Sequence, residues 1–69
     1  MENKLSQSEL RVLKLVAKGY TSEAIGKQLD IAKSTVQTHR RNMLRKTRFK
    51  NTNQLVGWAV KSGLVSWTE

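Results

Sequence analysis

The stretch from Lys33 to Lys50, KSTVQTHRRNMLRKTRFK, limits the fold more than any other part of the chain. Seven of its eighteen residues are Lys or Arg and none is acidic. On a helical wheel at about 100° per residue, Val36, Met43 and Thr47 fall on one side, while Ser34, Gln37, Thr38, Arg41, Arg45 and Arg48 fall roughly opposite. One face can enter a core; the other is polar, cationic and rich in hydrogen-bond donors. The phosphate backbone of a duplex is a dense anionic surface, and base edges offer acceptors to Arg and Gln. The pattern predicts a DNA recognition helix.

Size narrows what surrounds this helix. A chain of 69 residues buries only about 60% of its unfolded surface, so residues 1–69 are expected to form one domain around one core. Cysteine is absent, which removes disulfides and thiolate metal sites and leaves the core to Leu, Val, Ile and Ala. No apolar run approaches the roughly 18–20 residues that span a bilayer, and MENKLSQSEL lacks the apolar segment of a secretion signal. These features predict a soluble protein of the cytoplasm, of the bacterial cytosol or nucleoid type, with no membrane partner.

The formal net charge is +8, from 13 Lys and Arg against 5 Asp and Glu. Its distribution says more than its size. Residues 31–68 carry eight basic and no acidic side chains, whereas residues 1–30 carry five basic and four acidic ones. The positive field is concentrated in the second half, which favours a polyanionic partner.

The remaining residues predict three further helices, giving an all-α domain with helices near 7–18, 22–29, 33–47 and 52–62. Ser6-Gln7-Ser8-Glu9 fits a capping box, with Leu5 and Leu10 in staple positions, and Leu10, Val12, Leu13, Leu15, Val16 and Ala17 make the first helix largely apolar. Gly19 supplies a left-handed end. Thr21 can cap a second helix whose Ile25 and Leu29 face inward, and Gly26 at its centre, costly by up to about 1 kcal/mol relative to Ala, fits where another helix crosses closely. Asp30-Ile31-Ala32 is a short connection to the basic helix, an arrangement that reads as a helix-turn-helix. Asn51 can cap the fourth helix, with Gln54 at the capping-box position and Leu55, Val56, Ala59 and Val60 facing inward. Gly63 ends it, Leu64 and Val65 are expected to fold back on the core, and Trp67 is expected near the surface. No internal repeat or low-complexity segment interrupts this reading.

In order and spacing, Leu5-Ser6-x-x-Glu9-x-x-Val12-Leu13, Ala17-x-Gly19, Ile25-Gly26-x-x-Leu29, Thr35-Val36-x-x-His39, Met43-x-x-Lys46 and Ala59-x-x-x-Gly63-Leu64 resemble the LuxR/NarL/GerE-type DNA-binding domain. The resemblance covers roughly residues 5–65. It implies four helices, with the second and third forming the helix-turn-helix, the third entering the major groove and the fourth able to form a two-fold dimer. The function it implies is a sequence-specific, double-stranded DNA-binding transcriptional regulator, or the C-terminal output domain of one. Expected partners are duplex DNA, a second copy of the chain on DNA, and RNA polymerase or another regulator. The chain departs from the family pattern at Ser8 and Thr52, where Arg is common, at Arg11 and Ala24, where Glu is common, and at Ala32, where Ser is common. The change at Ala32 removes an expected N-cap of the recognition helix, worth about 1 kcal/mol, and Ser34 or a bound phosphate could satisfy the freed N–H groups instead.

Carried onto this sequence, the family's base-reading positions are Gln37, Thr38 and Arg41. Arg can fork onto guanine O6 and N7, Gln onto adenine N6 and N7, and the Thr methyl can touch thymine. Thr21, Ser22, Lys33, Ser34, Thr35, Arg40, Arg45, Lys46, Arg48 and Lys50 are the candidates for phosphate contacts, which set register and affinity. Trp58 fits two roles: a dimer seam with Leu55 and Ser62, or the rim of the monomer core. His39, the single histidine, has no Cys or carboxylate near it in sequence, so it is expected to pack at the core edge or to bond backbone or phosphate. Neither catalysis, a metal nor a cofactor is expected, since no Ser or Thr has an activating base. Two other readings compete. One is a helix-turn-helix-shaped module that binds another regulator through the fourth helix. The other is a basic amphipathic binder of RNA or anionic membrane, against which counts the absence of Trp or Phe on the outward face of residues 33–48.

Overall fold

Ser6 sets the first helix in place. Its Oγ accepts from the Glu9 N–H at 3.1 Å, and the Glu9 carboxylate accepts from the Ser6 N–H at 2.8 Å, so two backbone donors with no helical partner are satisfied reciprocally. The computed structural model describes residues 5–65 and contains four helices in the order α1 (Gln7–Ala17), α2 (Ser22–Leu29), α3 (Lys33–Thr47) and α4 (Thr52–Lys61). Trp67 lies outside the described residues. No helix among those described is long and apolar enough to cross a membrane.

Helix α1 sends Val12, Leu13 and Ala17 inward, α2 sends Ile25, α3 sends Val36 and Met43, and α4 sends Leu55 and Ala59; Val65 closes the cluster from beyond α4. Full burial of side chains such as Leu13, Ile25 and Met43 contributes about 1.5–3 kcal/mol each. Helix α3 packs against α1, α2 and α4, so its position is fixed from three sides and only its remaining face meets solvent. The inward residues Val36, Met43 and Thr47 are the ones that the wheel assigns to the core.

Several details differ from expectation. Helices α1 and α4 each stop one residue early, because Lys18 and Ser62 serve as C-caps ahead of Gly19 (φ 96°) and Gly63 (φ 80°). Asn51 caps α4 by accepting from the Gln54 N–H at 2.9 Å, but the Gln54 Oε1 accepts from the Lys50 N–H at 3.0 Å, outside a capping box. Val65 folds onto the core while Leu64 stays exposed. What crosses Gly26 is a connection and not a helix: a Cβ there would lie 2.7 Å from the Ile31 carbonyl oxygen, and the Ile31 N–H donates to the Gly26 carbonyl at 2.9 Å. The glycine lets the chain reverse within the three residues between α2 and α3.

Candidate nucleic-acid interface

The α2–α3 pair is held as one unit. Asp30 adopts the left-handed conformation (φ 59°, ψ 45°) and its N–H donates to the Gly26 carbonyl, a helix stop that Asp tolerates better than most residues. Helix α3 then begins at Lys33 with Ala32 as N-cap. The caps Ser6, Thr21 and Asn51 of the other helices each accept a backbone N–H through a side-chain oxygen; at α3 no side chain does so. The N–H groups of Thr35 and Val36 reach the Ala32 carbonyl at 3.0 and 3.1 Å, which leaves those of Lys33 and Ser34 pointing outward at the positive end of the helix. Ser34 does not replace the missing cap.

The outward face of α3 presents Lys33, Ser34, Thr35, Gln37, Thr38, Arg41, Arg45 and Lys46, all exposed, and Arg48 and Lys50 continue it. No acidic side chain occurs in α3. Gln37, Arg41, Arg45, Arg48 and Lys33 make no side-chain hydrogen bond or ion pair among the described residues, so their donors are unspent. At about 1.5 Å per residue, the fifteen residues of α3 extend roughly 22 Å, on a cylinder about 10–12 Å across that a major groove of about 12 Å admits.

Four of the candidate phosphate ligands, Arg40, Ser22, Thr21 and Lys46, have intramolecular work. Arg40 donates through Nη1 to Ser22 Oγ at 2.8 Å and through Nη2 to Thr52 Oγ1 at 3.4 Å, tying α3 to the first residues of α2 and α4. Ser22 is buried and Arg40 half-buried, whereas Thr21 is exposed with its hydroxyl oxygen accepting from the Ala24 N–H at 3.1 Å. Lys46 pairs with Glu9 at 2.8 Å. Burial pushes the Glu9 carboxyl up, but the Lys46 hydrogen bond, the Ser6 N–H and the Lys46 charge outweigh it and hold the group below its ordinary value. Glu9 thus closes the α1 cap and anchors the last turns of α3. The two residues lie 37 positions apart, and no periodicity or local spacing links them.

The proposed dimer residues separate. Leu55 is 1% exposed and belongs to the monomer core, so a second copy could not reach it, because Val12, Leu13 and Met43 share the interior that it fills. Trp58 on α4 is half-buried, and Ser62, the C-cap one turn further on, is exposed. The Trp58 ring lies 5.7 Å from that of Phe49 at 49°, an attractive tilted pair that sequence order alone does not reveal. His39 is half-buried and lines a small recess with Ser8, Arg11, Leu29 and Ile31. Among the described residues no group of three or more His, Cys, Asp or Glu could hold a metal ion.

The family described as bacterial regulatory proteins, luxR family, matches residues 3–59 of this chain. The oxygen regulatory protein NreC of Staphylococcus carnosus is 35% identical over 63 residues, which is 91% of this chain and 29% of that protein. Proteins of the same name from Staphylococcus epidermidis and Staphylococcus aureus show the same identity and coverage. The chain therefore spans 29% of the length of these relatives.

Proposed function

Because the chain belongs to the luxR family of bacterial regulatory proteins, and so to the DNA-binding regulators of transcription, we propose that it recognises specific double-stranded sequences by laying α3 in the major groove. The observation that carries this reading is the unspent donor set of α3: a face with no carboxylate, backed by a core that fixes the helix from three sides. Gln37, Thr38 and Arg41 read base edges. Lys33, Ser34, Thr35, Arg45, Arg48 and Lys50, with Thr21 and the α2 start, take phosphates. Arg40 and Lys46 divide their donors between the protein and the phosphates. The two N–H groups left free at the start of α3 suit a phosphate oxygen.

We further propose that two copies bind together, with the exposed side of α4 around Trp58 and Ser62 as the contact. The Phe49–Trp58 pair at the edge of α4 equally suits a protein-binding module that meets another regulator or RNA polymerase. Selection of duplexes from a random pool at two salt concentrations tests these readings. Enrichment of an inverted repeat supports paired binding in the major groove, and each phosphate ligand removed should lower the salt slope by about one. Arg41→Ala should relax preference at one base position at a cost of about 1–3 kcal/mol. No enrichment of any duplex, together with saturable binding to a partner regulator, would favour the protein-binding reading.

A further inference from the structure

Helices α1 and α3 leave a small recess of about 70 Å³, walled by Ser8 and Arg11 from α1 and His39 from α3, with Leu29 and Ile31 completing it. One water takes roughly 30 Å³ of the liquid, so a single tetrahedral anion fits and a nucleotide does not. Ser8 and Arg11 are exposed, one turn apart, and His39 is half-buried. None of these three side chains makes a hydrogen bond or ion pair among the described residues. A hydroxyl, a guanidinium and an imidazole thus bring donors to one small space without partners of their own.

The carboxylates nearest in sequence are engaged elsewhere. Glu9 is buried and held by Lys46, and Asp30 lines a separate groove with Glu23 and Lys27. No acidic side chain lines the recess. A guanidinium offers its donors in a planar fork that matches two oxygens of one phosphate group, while the Ser hydroxyl rotates to suit and the ring supplies an N–H. We infer that the recess binds a single phosphate-type oxyanion, with Arg11 forking onto two oxygens and Ser8 and His39 donating to the others. Ser8 and Arg11 are two of the positions at which the chain departs from the family pattern, and the Glu common in place of Arg11 would bring a carboxylate into the same wall. The site therefore belongs to this chain in particular. Its anion is either free in solution or a phosphate of a duplex backbone passing beside α3, two sources of one chemistry.

The test titrates the free chain with sodium phosphate, ionic strength being held constant with sodium chloride, and follows amide and imidazole NMR shifts. For a free anion, saturable shifts are expected at Ser8, Arg11 and His39. Binding should weaken about tenfold in Arg11→Gln, which loses charge-assisted hydrogen bonds, and disappear in Arg11→Glu. Lys14→Gln, which removes an exposed α1 cation outside the recess, should bind phosphate as the wild type does. If inorganic phosphate moves none of the recess signals, a duplex should move them, and Arg11→Gln should lower the salt slope of duplex binding by about one with base preference unchanged; that result assigns the recess to a backbone phosphate. Recess signals unmoved by both, or an Arg11→Gln slope equal to the wild type's in that second arm, overturn the inference. So do phosphate shifts confined to residues 33–35, with none at the recess in phosphate or duplex, and equal losses of phosphate binding in Lys14→Gln and Arg11→Gln. A chain that prefers no duplex sequence yet binds phosphate at the recess would sink the function proposed above and leave this inference standing. Unchanged helical circular dichroism and Tm for the variants, expected at exposed positions, confirms that folding is not being compared.

Discussion

The two ends of α3 share one cationic helix but are held very differently. Its first turns start without a side-chain cap and carry Gln37 and Arg41 with every donor free, although Val36 beside them is fully buried. Its last turns are tied from several sides: Met43 is fully buried, Lys46 meets Glu9 at 2.8 Å, and the Arg48 N–H reaches the Leu44 carbonyl at 2.8 Å. Thr38 and Thr47 make the same bond in the two settings, to the carbonyl four residues back, at 3.0 and 2.8 Å. At Thr47 it satisfies a buried hydroxyl that would otherwise cost about 1–3 kcal/mol. At Thr38, which is exposed, water could do the same. The candidate base-reading residues thus sit near the uncapped start of α3, while the ion pair to α1 ties down its other end.

The sharpest way to break this contrast is to compare truncations at the two ends. Met43→Ala should lose about 3 kcal/mol of stability by leaving a cavity, whereas Gln37→Ala should change it by less than about 0.5 kcal/mol. Urea denaturation measures both, and similar losses would show that Gln37 is held in the fold as firmly as Met43. Lys46→Met comes next, at about 1–2 kcal/mol near neutral pH, because it leaves the Glu9 carboxylate buried with only the Ser6 N–H; the figure is kept low because Lys46 is 43% exposed. Its pH dependence follows from the lowered Glu9 value. The ion pair's stabilisation is complete above the ordinary carboxylate range and is lost as pH falls through the folded-state value. Stability of Lys46→Met should therefore be flatter through that acid range than that of the wild type.

Much of this architecture is legible in the sequence because its causes are local. Ser6 with Glu9, Thr21 and Asn51 mark helix starts through their own side chains, Gly19 and Gly63 mark ends, and the 3.6-residue period separates Val36 and Met43 from Gln37 and Arg41. The links between distant residues are not legible. Nothing local connects Glu9 to Lys46 or Arg40 to Thr52, and Gly26 reveals its purpose only when the Ile31 carbonyl arrives over it. Leu55 shows a related limit: the wheel gives the side of α4 on which it lies but not how deeply the neighbouring helices cover it. The missing cap at Ala32 is visible from sequence, and the structure shows that Ser34 leaves it unfilled.

That gap gives the third prediction. Ala32→Ser restores an acceptor for the Ser34 or Thr35 N–H and should add about 1 kcal/mol. Amide exchange at residues 33–35 should be fast in the free wild-type protein and slower in the variant. Slow exchange there in the wild type would show that the start of α3 is already as firm as its end.

The smallest effect is expected at Arg48, where stability and binding should move in opposite directions. Arg48 ends α3 in the left-handed conformation at φ 65°, a region that costs a residue with a Cβ about 1–2 kcal/mol. Glycine removes that cost but gains about 0.5–1 kcal/mol of backbone freedom in the unfolded chain, so Arg48→Gly should stabilise the protein by about 0.5 kcal/mol. The same change removes an unpaired guanidinium from the binding face. Duplex affinity should fall on every sequence alike, with the salt slope reduced by about one. Calorimetry against salt-dependent binding isotherms separates the two effects. A rise in stability with unchanged affinity would place the interface boundary before Arg48, leaving that residue as a helix stop alone. A fall in both would mean that the strained arginine is held by contacts at the firm end of α3, where the geometry shows only its N–H bond to Leu44.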